Sequence, residues 1–184
     1  LTQTNNPDTG QTGWAYNDGP SGSVVRTLKL SGSQNRTDTA SLDSQGRVKQ
    51  TQLNSDPAGT DHVDLTYDSL GRAASASNSY RSSSSGGDSY TYDALSRVTS
   101  VTHADSDATH TYYGSNVSGA GGLGSQLCSS STYGLGYPTL FSDEDGNKRE
   151  YWTDGLGRTI EVDEPDPANG SLTDGLESAT CYSY

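Results

Sequence analysis

Apolar and polar residues alternate with a period of two over short stretches of the chain. Val63, Leu65 and Tyr67 fall on one side of an extended segment, with Asp64 and Thr66 between them, as in a half-buried strand. Val24–Leu30 (VVRTLKL) is the first clear strand, and Val98–Val101 continues an extended run rich in β-branched residues. The runs come in pairs. They predict hairpins around 39–52, 63–77 and 90–102, a further hairpin from PTLFSDE and KREYW turning at Asp145-Gly146-Asn147, and a strand in RTIEVDE. No window of ten or more residues has apolar positions at helical spacing, so helix is not expected.

What joins the paired runs recurs. Residues 67–72 read YDSLGR and 92–97 read YDALSR, with looser copies LDSQGR at 42–47 and TDGLGR at 153–158. In each, Asp43, Asp68, Asp93 or Asp154 opens a four-residue turn, where its carboxylate accepts from backbone N–H groups two or three residues on. Gly46, Gly71 and Gly157 close it in a left-handed conformation and start the return strand with a bulge. The third copy has Ser96 at that place, where the conformation costs more. Arg47, Arg72, Arg97 and Arg158 follow directly; their guanidinium groups reach the Asp or tip carbonyls while their stems cover an aromatic ring. Asp43, Asp68 and Asp93 lie 25 residues apart, a repeat signature.

Composition sharpens this picture. Leu, Ile, Val and Phe stay below about 20% of the chain and the net charge is −12, a pairing that usually marks disorder. Against disorder stand 12 Tyr and 2 Trp, the excess of Thr and Ser, and the recurring turns. The chain therefore reads as all-β with thin apolar layers. Isolated hairpins are marginal, so tandem hairpins must form a continuous, twisted or spiralling antiparallel sheet with stability from neighbour contacts. Its open edges predict self-association. Residues 1–22 are polar and read as a frayed N-terminal segment apart from Trp14 and Tyr16; 23–184 form the hairpin array. The return loops at 54–61 and 77–88 are rich in Ser, Gly and Pro, and a Gly/Ser-rich insertion at about 114–136 breaks the period.

The tandem copies resemble the YD repeat of RHS (rearrangement hotspot) proteins, whose pattern is Tyr-Asp-x-x-Gly-Arg. Tyr67-Asp68-Leu70-Gly71-Arg72 fits fully, Tyr92-Asp93-Arg97 departs at Ser96, and Leu42 and Thr153 replace the Tyr of the outer copies. The likeness covers roughly 39–113 and 137–163. It implies a spiralling hairpin sheet that longer members, including toxin components and teneurins, wind into a hollow shell. It also implies a non-catalytic arc of wall cut from a longer protein, secreted or on the cell surface, with neighbouring repeats as partners.

Little else points to chemistry. Eleven basic residues against 23 acidic ones argue against nucleic acid, and no run is long and apolar enough for a membrane span. Gly119–Gly124 fits G-x-G-x-x-G formally but leads into SQLCSSSTYG, a poor helix, and so reads as a loop. Asp143, Asp145 and Asn147 resemble the start of a calcium loop, yet their Gly falls too early and a hairpin turn explains them better. His62, His103 and His110 read as exposed loop residues. No metal, cofactor, catalytic pair or enzyme activity is expected. Cys128 and Cys181 match no metal spacing and are either bridged or two inert thiols. Tyr112, Tyr113, Tyr151 and Trp152 are candidates for sugar stacking or protein binding, or else parts of a Tyr-based core.

Overall fold

The computed structural model describes residues 2–5 and 10–184. Fourteen strands follow one another: β1 (Gln3–Asn5), β2 (Gln11–Asn17), β3 (Ser23–Ser31), β4 (Gln34–Leu42), β5 (Val48–Leu53), β6 (Asp61–Tyr67), β7 (Ala73–Ser77), β8 (Gly87–Tyr92), β9 (Val98–Thr102), β10 (Ala108–Tyr113), β11 (Tyr137–Ser142), β12 (Lys148–Thr153), β13 (Thr159–Glu164) and β14 (Ser178–Cys181). Two one-turn helices, α1 (Asn116–Gly119) and α2 (Ser130–Tyr133), lie in the insertion. The strand order in the sheet is the order in the chain, and the pairing is antiparallel. This is the tandem-hairpin sheet that the alternation predicts. No helix among the described residues is long and apolar enough to cross a membrane.

Residues 11–17, expected to be frayed apart from Trp14 and Tyr16, form β2 and pair with β3 from Thr12↔Leu28 to Asn17↔Ser23. The alternation of Trp14 and Tyr16 was thus a strand signal hidden among polar neighbours. Residues 1 and 6–9 of that segment lie outside the described residues.

The tips share one backbone. The Asp43 N–H donates to Arg47 O at 2.8 Å and Gly46 N–H returns to Asp43 O at 3.0 Å; the same pair of bonds closes the tips at Asp68, Asp93 and Asp154. Gly46, Gly71 and Gly157 have φ of 78°, 82° and 79°. Register shifts follow beside Leu42, Tyr67 and Thr153, the bulges that a left-handed tip residue starts. One further tip uses the frame, and another shares its left-handed residue. Asp143–Asn147 closes the β11–β12 hairpin with Gly146 at φ 82°, so the turn begins two residues earlier than the sequence suggested. His103–Asp107 joins β9 to β10 with Ser106 at φ 80°. Neither of these carries a register shift.

The chain divides into two compact units, residues 1–90 with 103–105, and residues 91–102 with 106–184. In the first, one sheet face is knitted by polar side chains. Thr39 donates to Asn54, Asn54 to Gln52, Gln52 to Gln50, and Gln50 to Asp64, which also accepts from the Tyr80 hydroxyl at 2.6 Å. In the second lie the buried apolar side chains of the described residues: Val117, Cys128, Leu140, Trp152, Ile160 and Leu172. Val117 from the insertion and Leu172 from the loop 165–177 meet Leu140 of β11, with Tyr112 and Ala120 packed alongside. The insertion is therefore a cover on the sheet, not a free loop.

Its fit is tight at Gly122. A Cβ there would sit 2.6 Å from Val117 Cγ1 and 2.7 Å from Glu150 Oε2. Gly122→Ala is expected to destabilise the second unit by about 1–3 kcal/mol through overpacking, read as a lower melting temperature, whereas Gly124→Ala, with open space around it, leaves it unchanged.

Candidate functional site

Each tip carries a charge lock. Asp68 Oδ1 accepts from Leu70 N–H and Arg72 N–H, both at 2.9 Å, while Oδ2 takes the Arg72 guanidinium at 2.7 Å. Asp43, Asp93 and Asp154 repeat the arrangement with Arg47, Arg97 and Arg158. Asp143 does the same with Asn147, whose side-chain amide stands in for the guanidinium at 2.9 Å. Both oxygens of Asp143 are thereby engaged at the hairpin tip, which explains the calcium-like spacing.

The guanidinium does a second task. Arg47 Cζ lies 4.3 Å from the centre of the Tyr67 ring, and the Tyr67 hydroxyl donates to Val48 O at 2.8 Å. So the Tyr that opens one motif closes over the Arg that ended the motif before it. The second unit repeats this twice. Arg97 lies 4.0 Å over Tyr113, whose hydroxyl donates to Val98 O at 3.0 Å, and Arg158 lies 4.6 Å over Tyr184, whose hydroxyl donates to Thr159 O at 3.0 Å. Tyr113 and Tyr184 fill the motif Tyr place although no Asp follows Tyr113. Tyr92 ends β8, directly before the Asp93 tip. The sequence signal for this contact was the repeat spacing itself. It predicts an aromatic ring over the Arg but does not say that the ring belongs to the next hairpin.

A second cluster was not singled out by the sequence. Glu150 on β12 and Glu161 and Asp163 on β13 are fully buried. Glu150 and Asp163 are directly opposed across the ladder, as are Trp152 and Glu161. The cover supplies backbone donors. Leu123 N–H meets Glu150 Oε2 at 2.6 Å, and Leu127 and Cys128 N–H meet the two oxygens of Glu161 at 2.7 and 3.2 Å. Gln126 donates to Glu161 at 3.3 Å and accepts from Gly136 N–H. Trp152 Nε1–H donates to Asp163 Oδ2 at 2.9 Å. Glu150 Oε1 and Asp163 Oδ1 have no partner. Cys128 and Cys181 are bridged, with Cα atoms 5.9 Å apart, which ties the cover to β14. Thus the Gly119–Gly124 run wraps the protein's own carboxylate rather than a phosphate.

Burial pushes the Glu150 carboxyl up to about 7, opposed by the Leu123 N–H and helped by the charge of Glu161. Burial also drives Asp163 well above the usual carboxylate range, with the Glu161 side chain adding to the rise. Among the described residues, no group of three or more His, Cys, Asp and Glu side chains is placed to hold a metal ion. His103 bonds Asp88 at 2.8 Å, and His62 stacks on Tyr80 with ring centres 5.4 Å apart.

The aromatic candidates are mostly occupied. Trp152, a candidate for stacking or else for the core, is 4% exposed, because β12 turns it under the cover toward Asp163. Tyr112 packs against the Val117–Leu140–Leu172 cluster, and Tyr113 faces Arg97. Tyr151 is half-buried, beside Phe141, Arg149 and Glu164. No protein-family model and no curated protein matches this chain.

Two outcomes follow. Tyr67→Phe removes one hydroxyl bond and is expected to cost about 0.5–1.5 kcal/mol; Arg47→Ala combined with it should be less than additive in chemical denaturation, because the two act on one contact. The pH profile has two limbs. Asp43, Asp93 and Asp154 are held low by the following Arg N–H and guanidinium, so the stability they contribute is present near neutrality and lost in acid. Glu150 is raised, so its contribution is complete below its unfolded value and lost as pH climbs toward about 7. Thermal melts should peak in mild acid, and Glu150→Gln should make the fall toward pH 7 shallower while leaving the acid limb in place.

Proposed function

We propose that this chain is a non-catalytic structural module of the YD/RHS type, a stretch of hairpin wall in a larger shell or surface scaffold. The observation that carries the reading is the use made of the motif residues. Asp locks its own tip, Arg reaches from that tip to a ring, and in all three pairs the ring comes from a later stretch of chain, at 4.3, 4.0 and 4.6 Å. The repeated residues are spent on joining repeats. Partners are accordingly the neighbouring repeats of a longer chain. The Cys128–Cys181 bridge supports an oxidising compartment, outside the cell or at its surface.

Electron microscopy of a longer polypeptide, in which repeats continue on both sides, tests this. Residues 39–163 are expected to run on into flanking hairpins as one sheet. A detached domain, or a substrate turned over at Glu150 or Glu161 and lost in the Gln variants, overturns the proposal.

A further inference from the structure

The second unit closes over its own acids in an unusual way. Three carboxylates lie at zero exposure on two adjacent strands, where burial without a paired cation is costly. The groups facing them are few. Lys148 of β12 directs Nζ to Ala120 O at 2.7 Å rather than to an acid. The loop 165–177 brings Asp166, 7% exposed and bonded to its own backbone. On the same side of β10 stand His110 and Tyr112, and on β14 the bridged Cys181. Residues 114–136 contain only Tyr133 and the bridged Cys128 as titratable side chains. The cover therefore offers backbone N–H groups but no positive charge.

Those N–H groups are unevenly shared. Both oxygens of Glu161 are bonded, whereas Glu150 and Asp163 each keep one bare, buried oxygen. With a proton on Glu150 and on Asp163 the bare oxygens tolerate a dry setting. Without those protons, opposed charges on a cross-strand pair repel and demand water. At zero exposure in the closed unit they meet water when the cover rises. Against this, the cover is held by Val117 as its fully buried aliphatic anchor, by the amide bonds just named, and by the bridge to β14.

We propose that residues 114–136 form a hinged cover, latched by the Cys128–Cys181 bridge, which lifts when the bridge is reduced while the acids beneath it are ionised. Either condition alone leaves it down. The reducing step is thiol–disulfide exchange. One thiolate of an external dithiol attacks Sγ of Cys181, a half-buried residue, and displaces the Cys128 thiolate. The second thiol resolves the mixed disulfide, leaving two cysteine thiols and one oxidised dithiol. Once raised, the cover uncovers a carboxylate-lined sheet face, so a change of surroundings that is both reducing and mildly alkaline would switch the surface this unit presents.

Hydrogen exchange on the full chain, read as protection factors at about pH 5 and about pH 8 with and without dithiothreitol, tests the latch. Amides of Leu123, Leu127 and Cys128 are expected to lose protection by about tenfold or more only in the reduced protein at the higher pH. The β3–β4 amides of the first unit should stay protected throughout. The reduced Glu150→Gln/Asp163→Asn double variant should keep its cover down at both pH values. Protection retained by the reduced protein at the higher pH, equal loss at the lower pH, loss shared with β3–β4, or failure of the double variant to restore protection would each overturn the proposal.

Discussion

The Asp carboxylate at each tip is the interaction on which the rest depends. One oxygen collects two backbone N–H groups and thereby sets the five-residue turn; the other fixes the guanidinium. A guanidinium held flat in this way is a platform, and the next Tyr closes over it and bonds the carbonyl beyond. A surface ion pair alone contributes little. Here the pair acts less through its own energy than by ordering the Arg, so that the cation–π contact and the tyrosine hydrogen bond form with little further loss of side-chain freedom. Local turn chemistry is thus converted into an attachment between hairpins.

That conversion makes sense of a composition poor in aliphatics. The first unit has none of the fully buried apolar side chains found among the described residues. Its face is joined by a relay of hydroxyl, amide and carboxylate groups from Thr39 to Tyr80, in which each donor finds an acceptor. Directional bonds in sequence resist slippage, because a one-residue shift would send every member to the other face. The second unit solves the same problem differently, with a small apolar cluster, a bridge and a cover. Its cost is three carboxylates removed from water, and that cost makes the unit responsive to acidity.

Much of this was legible beforehand because it is local. Alternation around Val63–Tyr67 gave strands, Asp-x-x-Gly gave the tips and their bulges, and the following Arg gave the lock. Where local signals were diluted, sequence reading failed. Trp14 and Tyr16 sit among residues that look like loop, yet β2 forms because β3 offers a complete ladder. The turn at Asp143 was misplaced because Asp145 and Gly146 make an equally good short turn in isolation; the side-chain bond from Asn147 to Asp143 decides between them. Most opaque was the 114–136 segment. Its Gly and Ser content fits a solvated loop, and only tertiary context reveals that small residues are needed where backbone approaches Glu150 and Leu140.

Placement of the single disulfide completes the logic. A bridge across 53 residues of sequence removes about 4 kcal/mol of loop-closure freedom from the unfolded chain in the entropic picture. β14 has only four residues and pairs with β13 alone among the strands. The cover for its part holds few apolar anchors. Each is weak in isolation, and each is attached to the other at Cys128 and Cys181. Because Glu161 lies on β13 between them, accepting from the cover while pairing with Cys181 across the ladder, sheet edge, cover and buried acid form one cooperative piece. With one of them loosened the other two still hold the cover in place, and it is the loss of two together that frees it.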